Sequence, residues 1–198
     1  PHRRLACRPP LPPFPVPSPP VTYSAPGSCG GTNITATVSS RPTTDERLTG
    51  GKDGLYNPQT KQITWRVWVN YEDLGLKTAY IEDSIPAGQT FVPGSTRVYA
   101  YTVTGSTKHR GAMINYADGS TPGLSVTEPL PGAADQTLRV NFPDALPGAP
   151  NSKYWVEFET SIADTFIEAR YTNTAVHHND YNPTIDLPAT VSDLPDGT

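Results

Sequence analysis

From Gln62 to Asn70 the chain alternates: Ile63, Trp65, Val67 and Val69 fall on one side, Thr64, Arg66 and Trp68 on the other. A period of two belongs to an extended strand with one buried face. It excludes a helix, whose apolar stripe recurs about every 3.6 residues. The same period returns at Tyr154, Val156, Phe158, Thr160 and Ile162, with Trp155, Glu157 and Glu159 opposite, and again at Tyr171, Asn173 and Ala175. Shorter alternations cover residues 32–40, 78–85, 90–92, 96–103 and 138–142, with breaks such as Pro86-Ala87-Gly88 between them. Residues 164–169 have room for one helical turn or a loop. Many short strands at regular spacing, with almost no helix, predict an all-β fold, a two-sheet β-sandwich.

Composition sets the boundaries. Hydrophobic residues are 35% and charged residues 17% of the chain, and the shortfall is filled by Pro, Gly, Thr, Ser and Asn, the residues of turns and exposed strands. Ten of the 23 prolines lie in the first 26 residues, where they block ladder pairing and favour extended, disordered chain. Residues 1–29 therefore read as a Pro-rich disordered segment, 30–179 as the folded domain, and 180–198 as a polar, proline-dotted linker or tail. The stretch 41–51 reads as turns, and 104–136 as loops with one or two short strands, the natural place for binding specificity. Cys7 and Cys29 both precede the domain, free or paired with each other, so the domain itself has no disulfide staple. A net charge of −4 gives no reason to expect nucleic acid, and no apolar run approaches the ~20 residues of a membrane helix. The opening Pro-His-Arg-Arg lacks the apolar core of a secretory signal.

Phrases for phosphate, dinucleotide, zinc-protease or serine-hydrolase chemistry do not occur, so neither an enzyme nor a cofactor is expected. His177-His178 beside Asp180 resembles a metal pair, but neighbours on a strand point to opposite faces, and a solvated strand end is the expectation. Asp118 and Asp135 sit in turns where calcium is the weaker reading. Trp68, Tyr99, Tyr101 and Trp155 read as exposed rings that either form a ligand platform or pack against another surface.

Three phrases in order carry more. They are KDGLYNPQTKQITWRVWVN from Lys52, IEDSIPAGQTFVPGS from Ile81, and YWVEFETSI followed by YTNTA around Asn173. Together, over roughly residues 32–178, they resemble the immunoglobulin-like domains of Gram-positive surface adhesins and pilins, in particular the collagen-adhesin A type. The resemblance implies an immunoglobulin-like sandwich and an autocatalytic isopeptide crosslink from Lys52 to Asn173, with Asp83 as proton shuttle. It also implies an extracellular, cell-wall-attached adhesion or pilus module. Its partners would be a matrix protein such as collagen or fibrinogen and adjacent domains of the same surface protein.

The residues themselves are compatible with that chemistry. Asp83 shares a strand face with Ile81 and Ile85, and burial raises a carboxyl pKa and lowers an amine pKa until both are neutral. A neutral lysine is a nucleophile, and a neutral acid can polarise an amide and pass a proton to departing ammonia. Closing a loop of about 120 residues corresponds to about 4–5 kcal/mol. Plainer roles stand beside this one. Lys-Asp-Gly suits a solvated turn, Asp83 faces solvent if the register slips by one or caps the Pro86 turn, and Asn173 bonds a nearby loop. Glu82, Glu157 and Glu159 point outward and are weaker candidates for the acid. A spacer that binds nothing and a carbohydrate-binding module are the alternative functions.

Overall fold

The alternating segments become strands in a computed structural model that describes residues 22–29, 32–39, 50–162 and 170–192. The chain divides into two units, Pro1–Thr44 and Asp45–Thr198. In the first, β1 (Thr22–Cys29) and β2 (Thr32–Ser39) pair antiparallel from Thr22↔Ser39 to Cys29↔Thr32. Residues 22–29 are thus a strand where disordered chain was expected. Residues 32–39 form the strand expected of them, and among the described residues that strand pairs only with β1. Cys7 lies outside the described residues.

The second unit holds the sandwich. One sheet runs β3 (Gly50–Asn57), β4 (Gln62–Val69), β11 (Tyr154–Ile162), β7 (Arg97–Thr104) and β8 (Thr107–Ile114), with β6 (Gln89–Phe91) also on β11. The other runs β13 (Asn182–Ser192), β12 (Arg170–Asn179), β5 (Tyr80–Ser84), β10 (Thr137–Asn141) and β9 (Ser125–Thr127). All strand pairs are antiparallel. Between the sheets lie Ile63, Trp65, Val67 and Val69 of β4, Val156 and Phe158 of β11, Ile81 of β5, and Leu138 and Val140 of β10, all without solvent exposure. The inward parities expected for β4, β5 and β11 hold. Residues 163–169, with the possible helical turn, lie outside the described residues. Among the described residues no helix is long and apolar enough to cross a membrane.

Two strands depart from expectation. Residues 182–192, expected to trail as a linker, form β13 along β12, with Leu187, Ala189 and Val191 buried. Pro183 and Pro188 are tolerated because β13 is an edge strand. Gly50 and Gly51, expected in a turn, begin β3. Here glycine permits close packing where a side chain could not: a Cβ on Gly54 would lie 2.5 Å from Val191 Cγ2 and 2.7 Å from Trp65 Cζ3. That contact seats β3 against β13 across the open side of the sandwich.

His177 is also corrected. It is buried, at 1% exposure, on the inward face of β12, whereas His178 faces outward and stacks on Tyr80 with ring centroids 4.3 Å apart. The two rings cannot converge on one ion. Burial holds the His177 imidazole at a pKa of about 4, with the charge of His178 adding a smaller push.

Two measurements check this core. Leu187→Ala should cost about 2–5 kcal/mol in denaturant unfolding, the usual cost of a core truncation; a loss near zero would return residues 182–192 to the status of a tail. For His177 the unfolded chain binds a proton that the fold refuses, so its contribution is present above pH 6.5 and is lost as pH falls toward 4. That loss amounts to up to about 3 kcal/mol. Asp83, whose pKa is raised, works in the opposite direction, so the comparison is made against His177→Gln, whose stability should fall less between pH 7 and pH 4.5.

Candidate functional site

The cross-strand register aims three polar side chains into the apolar layer. On β3, Lys52 stands opposite Val67, an inward residue of β4. On β5, Asp83 stands between Leu138 of β10 and Ala175 of β12. Asn173 follows two residues away on the same inward face of β12. The lysine comes from one sheet, the acid and the asparagine from the other, so the group spans the core. Lys52, Asp83 and Asn173 are 7%, 0% and 2% exposed. The structure thus brings together the three residues singled out from sequence.

Their local chemistry is unusual. Lys52 Nζ donates a hydrogen bond to Asp83 Oδ2, and the rings of Trp65 and Phe158 enclose the amine at 5.0 and 5.3 Å from their centroids. Burial is the main influence on both groups: it lowers the Lys52 pKa and raises that of Asp83, and their mutual attraction only partly opposes this. The pair is accordingly held toward a neutral amine and a neutral acid. The Asn173 carboxamide lies near enough to Asp83 to oppose part of its rise. Yet among the described residues neither polar atom of Asn173, nor Asp83 Oδ1, completes a hydrogen bond of normal geometry. A buried amide without partners is expensive, on the order of 1–3 kcal/mol. Chemically, an amine and an acid, each shifted by burial toward its neutral form, meet an amide in the buried layer between the sheets.

A second group of polar residues, not anticipated from sequence, fixes the wall of this pocket. Trp65 Nε1 donates to Gln89 Oε1 at 3.1 Å and Thr160 Oγ1 at 3.0 Å, and the Thr160 hydroxyl donates to Gln89 Oε1 at 2.7 Å. The one available signal was Thr160, a polar residue on the apolar face of β11. Gln89 lies just past the Pro-Ala-Gly break and carried none. The weaker acids are engaged elsewhere: Glu82 accepts from Arg139 at 2.7 Å and Glu157 from Arg110 at 2.7 and 2.9 Å.

The expected ring platform is only half exposed. Trp68 and Trp155 pack at 5.9 Å on the outer face of the six-stranded sheet, and Tyr101 meets Trp155 edge-on at 6.2 Å. Tyr101 and Trp155, read as exposed, are 3% and 8% accessible. A register shift between Tyr99 and Tyr101 bends β7, and the Tyr101 hydroxyl reaches across to donate to the Val69 carbonyl at 3.0 Å. Lys108 Nζ sits 3.3 Å above the Trp68 ring and Arg110 lies 4.6 Å over Tyr99. Trp68 and Tyr99 stay half-buried. Asp118 and Asp135 serve their turns, bonded to Ser120 and Thr137. Among the described residues no group of three His, Cys, Asp or Glu side chains could hold a metal.

A family model described as collagen binding domain matches residues 48–184. No curated protein sequence matches the chain. Among solved structures, the collagen-binding domain of a Staphylococcus aureus adhesin is similar at 19% identity, covering 74% of this chain and 98% of that one, with a TM-score of 0.53. The S. aureus collagen adhesin gives 18% identity, 84% and 55% coverage and a TM-score of 0.52. The collagen binding subdomain of the Enterococcus faecalis surface protein ACE gives 14%, 73% and 97%, and 0.50. At these identities the likeness is one of fold.

Proposed function

The chain belongs to the collagen-binding domain family, and we propose that it is an extracellular, cell-wall-attached adhesion or pilus module, braced by a Lys52–Asn173 isopeptide bond and directed at a collagen-type matrix protein. One observation carries the crosslink: a buried Asn173 carboxamide without partners beside a Lys–Asp pair held toward neutrality. The Lys52 amine adds to Asn173 Cγ while Asp83 protonates the amide oxygen. The tetrahedral centre then collapses as Asp83 relays the lysine proton to Nδ2, the C–N bond breaks, ammonia leaves, and the hydroxyl proton returns to Asp83 as the carbonyl re-forms. One amine and one amide become one substituted amide and one ammonia, and the balance needs no other reactant. Contact between the groups supplies the acceleration, by prepaid orientation. The module acts on no substrate. Adjacent domains of the same surface protein are its natural neighbours, and fibrinogen is a second candidate among matrix proteins.

For the ligand, support comes from the family and from the half-exposed Trp68 and Tyr99, with Trp155 and Tyr101 packed beneath as a rigid base. The burial of those two rings weakens the carbohydrate-binding alternative, which drew on four free rings. It favours, as the second reading, a spacer whose outer face binds nothing.

Intact mass under denaturing conditions tests the bond. The parent should be lighter than its sequence by one ammonia and Asp83→Ala should not; full mass in both would remove the crosslink. Immobilised collagen tests the ligand. Saturable binding that drops about thirtyfold in Trp68→Ala or Tyr99→Ala, roughly the 2 kcal/mol of an aromatic hot spot, supports the adhesin, and absence of binding supports the spacer.

A further inference from the structure

The rings that enclose the Lys52 amine are held by a strand of only 3 residues, β6. The chain leaves β5 through Pro86-Ala87-Gly88, a turn closed by a 3.2 Å bond from the Gln89 N–H to the Pro86 carbonyl. It thereby crosses to the other sheet, where β6 pairs with β11. Asp83 and Gln89 stand in opposite sheets although one short turn joins them. Phe91, the last residue of β6, stacks on Phe158 with ring centroids 6.0 Å apart. Gln89, the first, receives the Trp65 indole. Each end of β6 thus backs one of the two rings that lie against the lysine.

The direction of the hydrogen bonds around Gln89 is forced. An indole N–H can only donate, so the carboxamide must turn its oxygen to Trp65 and its NH₂ away. The Thr160 hydroxyl accepts from the same indole and gives its own proton to that oxygen. Gln89 Nε2 is left to reach across the core, where it donates to the Thr172 carbonyl in a long bond of 3.5 Å. Thr172 precedes Asn173 on a stretch of β12 with little other support. The ladder between β12 and β5 runs from His178↔Tyr80 to Ala175↔Asp83 and goes no further. Among the described residues β13 alone is paired with β12 at Asn173, through Ala189. Trp65, Thr160 and Gln89 are all buried, so these bonds form in the low-dielectric layer where a missing partner is most costly.

We propose that Gln89 is the positioning residue of the crosslinking site. Its one carboxamide fixes both the ring against which Lys52 lies and the strand that carries Asn173, and so holds amine and amide at the separation the reaction needs. The inference rests on the Lys52–Asn173 reading given above and adds to it a residue that takes no part in the bond changes. Its weight comes from the steep dependence of rate on geometry: misplacing reacting groups by about 1 Å can cost about a hundredfold. A glutamine that only filled the core could find its partners on any nearby strand. Here the oxygen serves the wall of the lysine and the nitrogen serves the strand of the asparagine.

The test follows ammonia loss with time. Chains made by cell-free synthesis are sampled after synthesis is stopped, and intact mass under denaturing conditions gives the crosslinked fraction. Gln89→Met, similar in length but without hydrogen bonds, should form the bond about tenfold or more slowly than the parent. Thr160→Val removes the hydroxyl between indole and amide and should slow it less, and it decides the matter if Gln89→Met folds poorly. Val98→Ala truncates a buried residue of β7, three strands from Lys52. It lowers stability without touching Gln89 and should leave the rate unchanged. A second readout separates position from stability. In Asn173→Ala, where no bond can form, the nuclear Overhauser contact between the Lys52 side chain and the Trp65 ring should be present, and adding Gln89→Met should abolish it. Equal rates in parent and Gln89→Met, equal slowing in Val98→Ala, or an unchanged contact in the double variant would each overturn the inference while leaving the crosslink intact. A parent that never loses ammonia would remove the crosslink itself and this inference with it, a failure distinct from the others.

Discussion

Burial of the Lys52 amine against the Asp83 carboxyl is the constraint around which the sandwich is organised. As ions the two would each bear a desolvation cost of several kcal/mol, which their attraction recovers only with good geometry. Held neutral they cost less, but only while they stay in contact. Contact requires three registers at once: Lys52 opposite Val67, Asp83 opposite Leu138, and Asp83 opposite Ala175. A slip of one residue in any of these strands sends its polar group to solvent and an outward residue into the core. The site therefore fixes how the two sheets face each other, and the fold cannot relax around it without exposing apolar surface.

The position of the site along the chain has a mechanical meaning. A bond from Lys52 to Asn173 would bracket β3 through β12 covalently and join the two sheets across their interface. Strand β13 lies outside the bracket, because it follows Asn173. Tension applied beyond residue 192 would reach β13 first and could strip it from β12 without testing the crosslink. Its buried Leu187, Ala189 and Val191 are then the noncovalent resistance in series with the covalent one.

Much of this was legible in the alternation of β4, β5, β11 and β12, which placed Asp83 and Asn173 inward because their apolar neighbours had to be inward. What was missed has physical reasons. Leu187, Ala189 and Val191 alternate as well as any strand, but Pro183 and Pro188 mask the pattern, and only the topology reveals the edge where proline is allowed. Strand β3 has no alternation to read, since Gly51 and Gly54 are there for close approach to the indoles of Trp68 and Trp65. Strand β2 shows the converse error, because alternation identifies a strand and not its partner. Trp155 and Tyr101 face outward by parity yet are buried, because past a register shift in β7 Tyr101 packs edge-on against Trp155, which Trp68 covers from its other side beneath Lys108. Neither a bulge nor a cation above a ring is written in local periodicity.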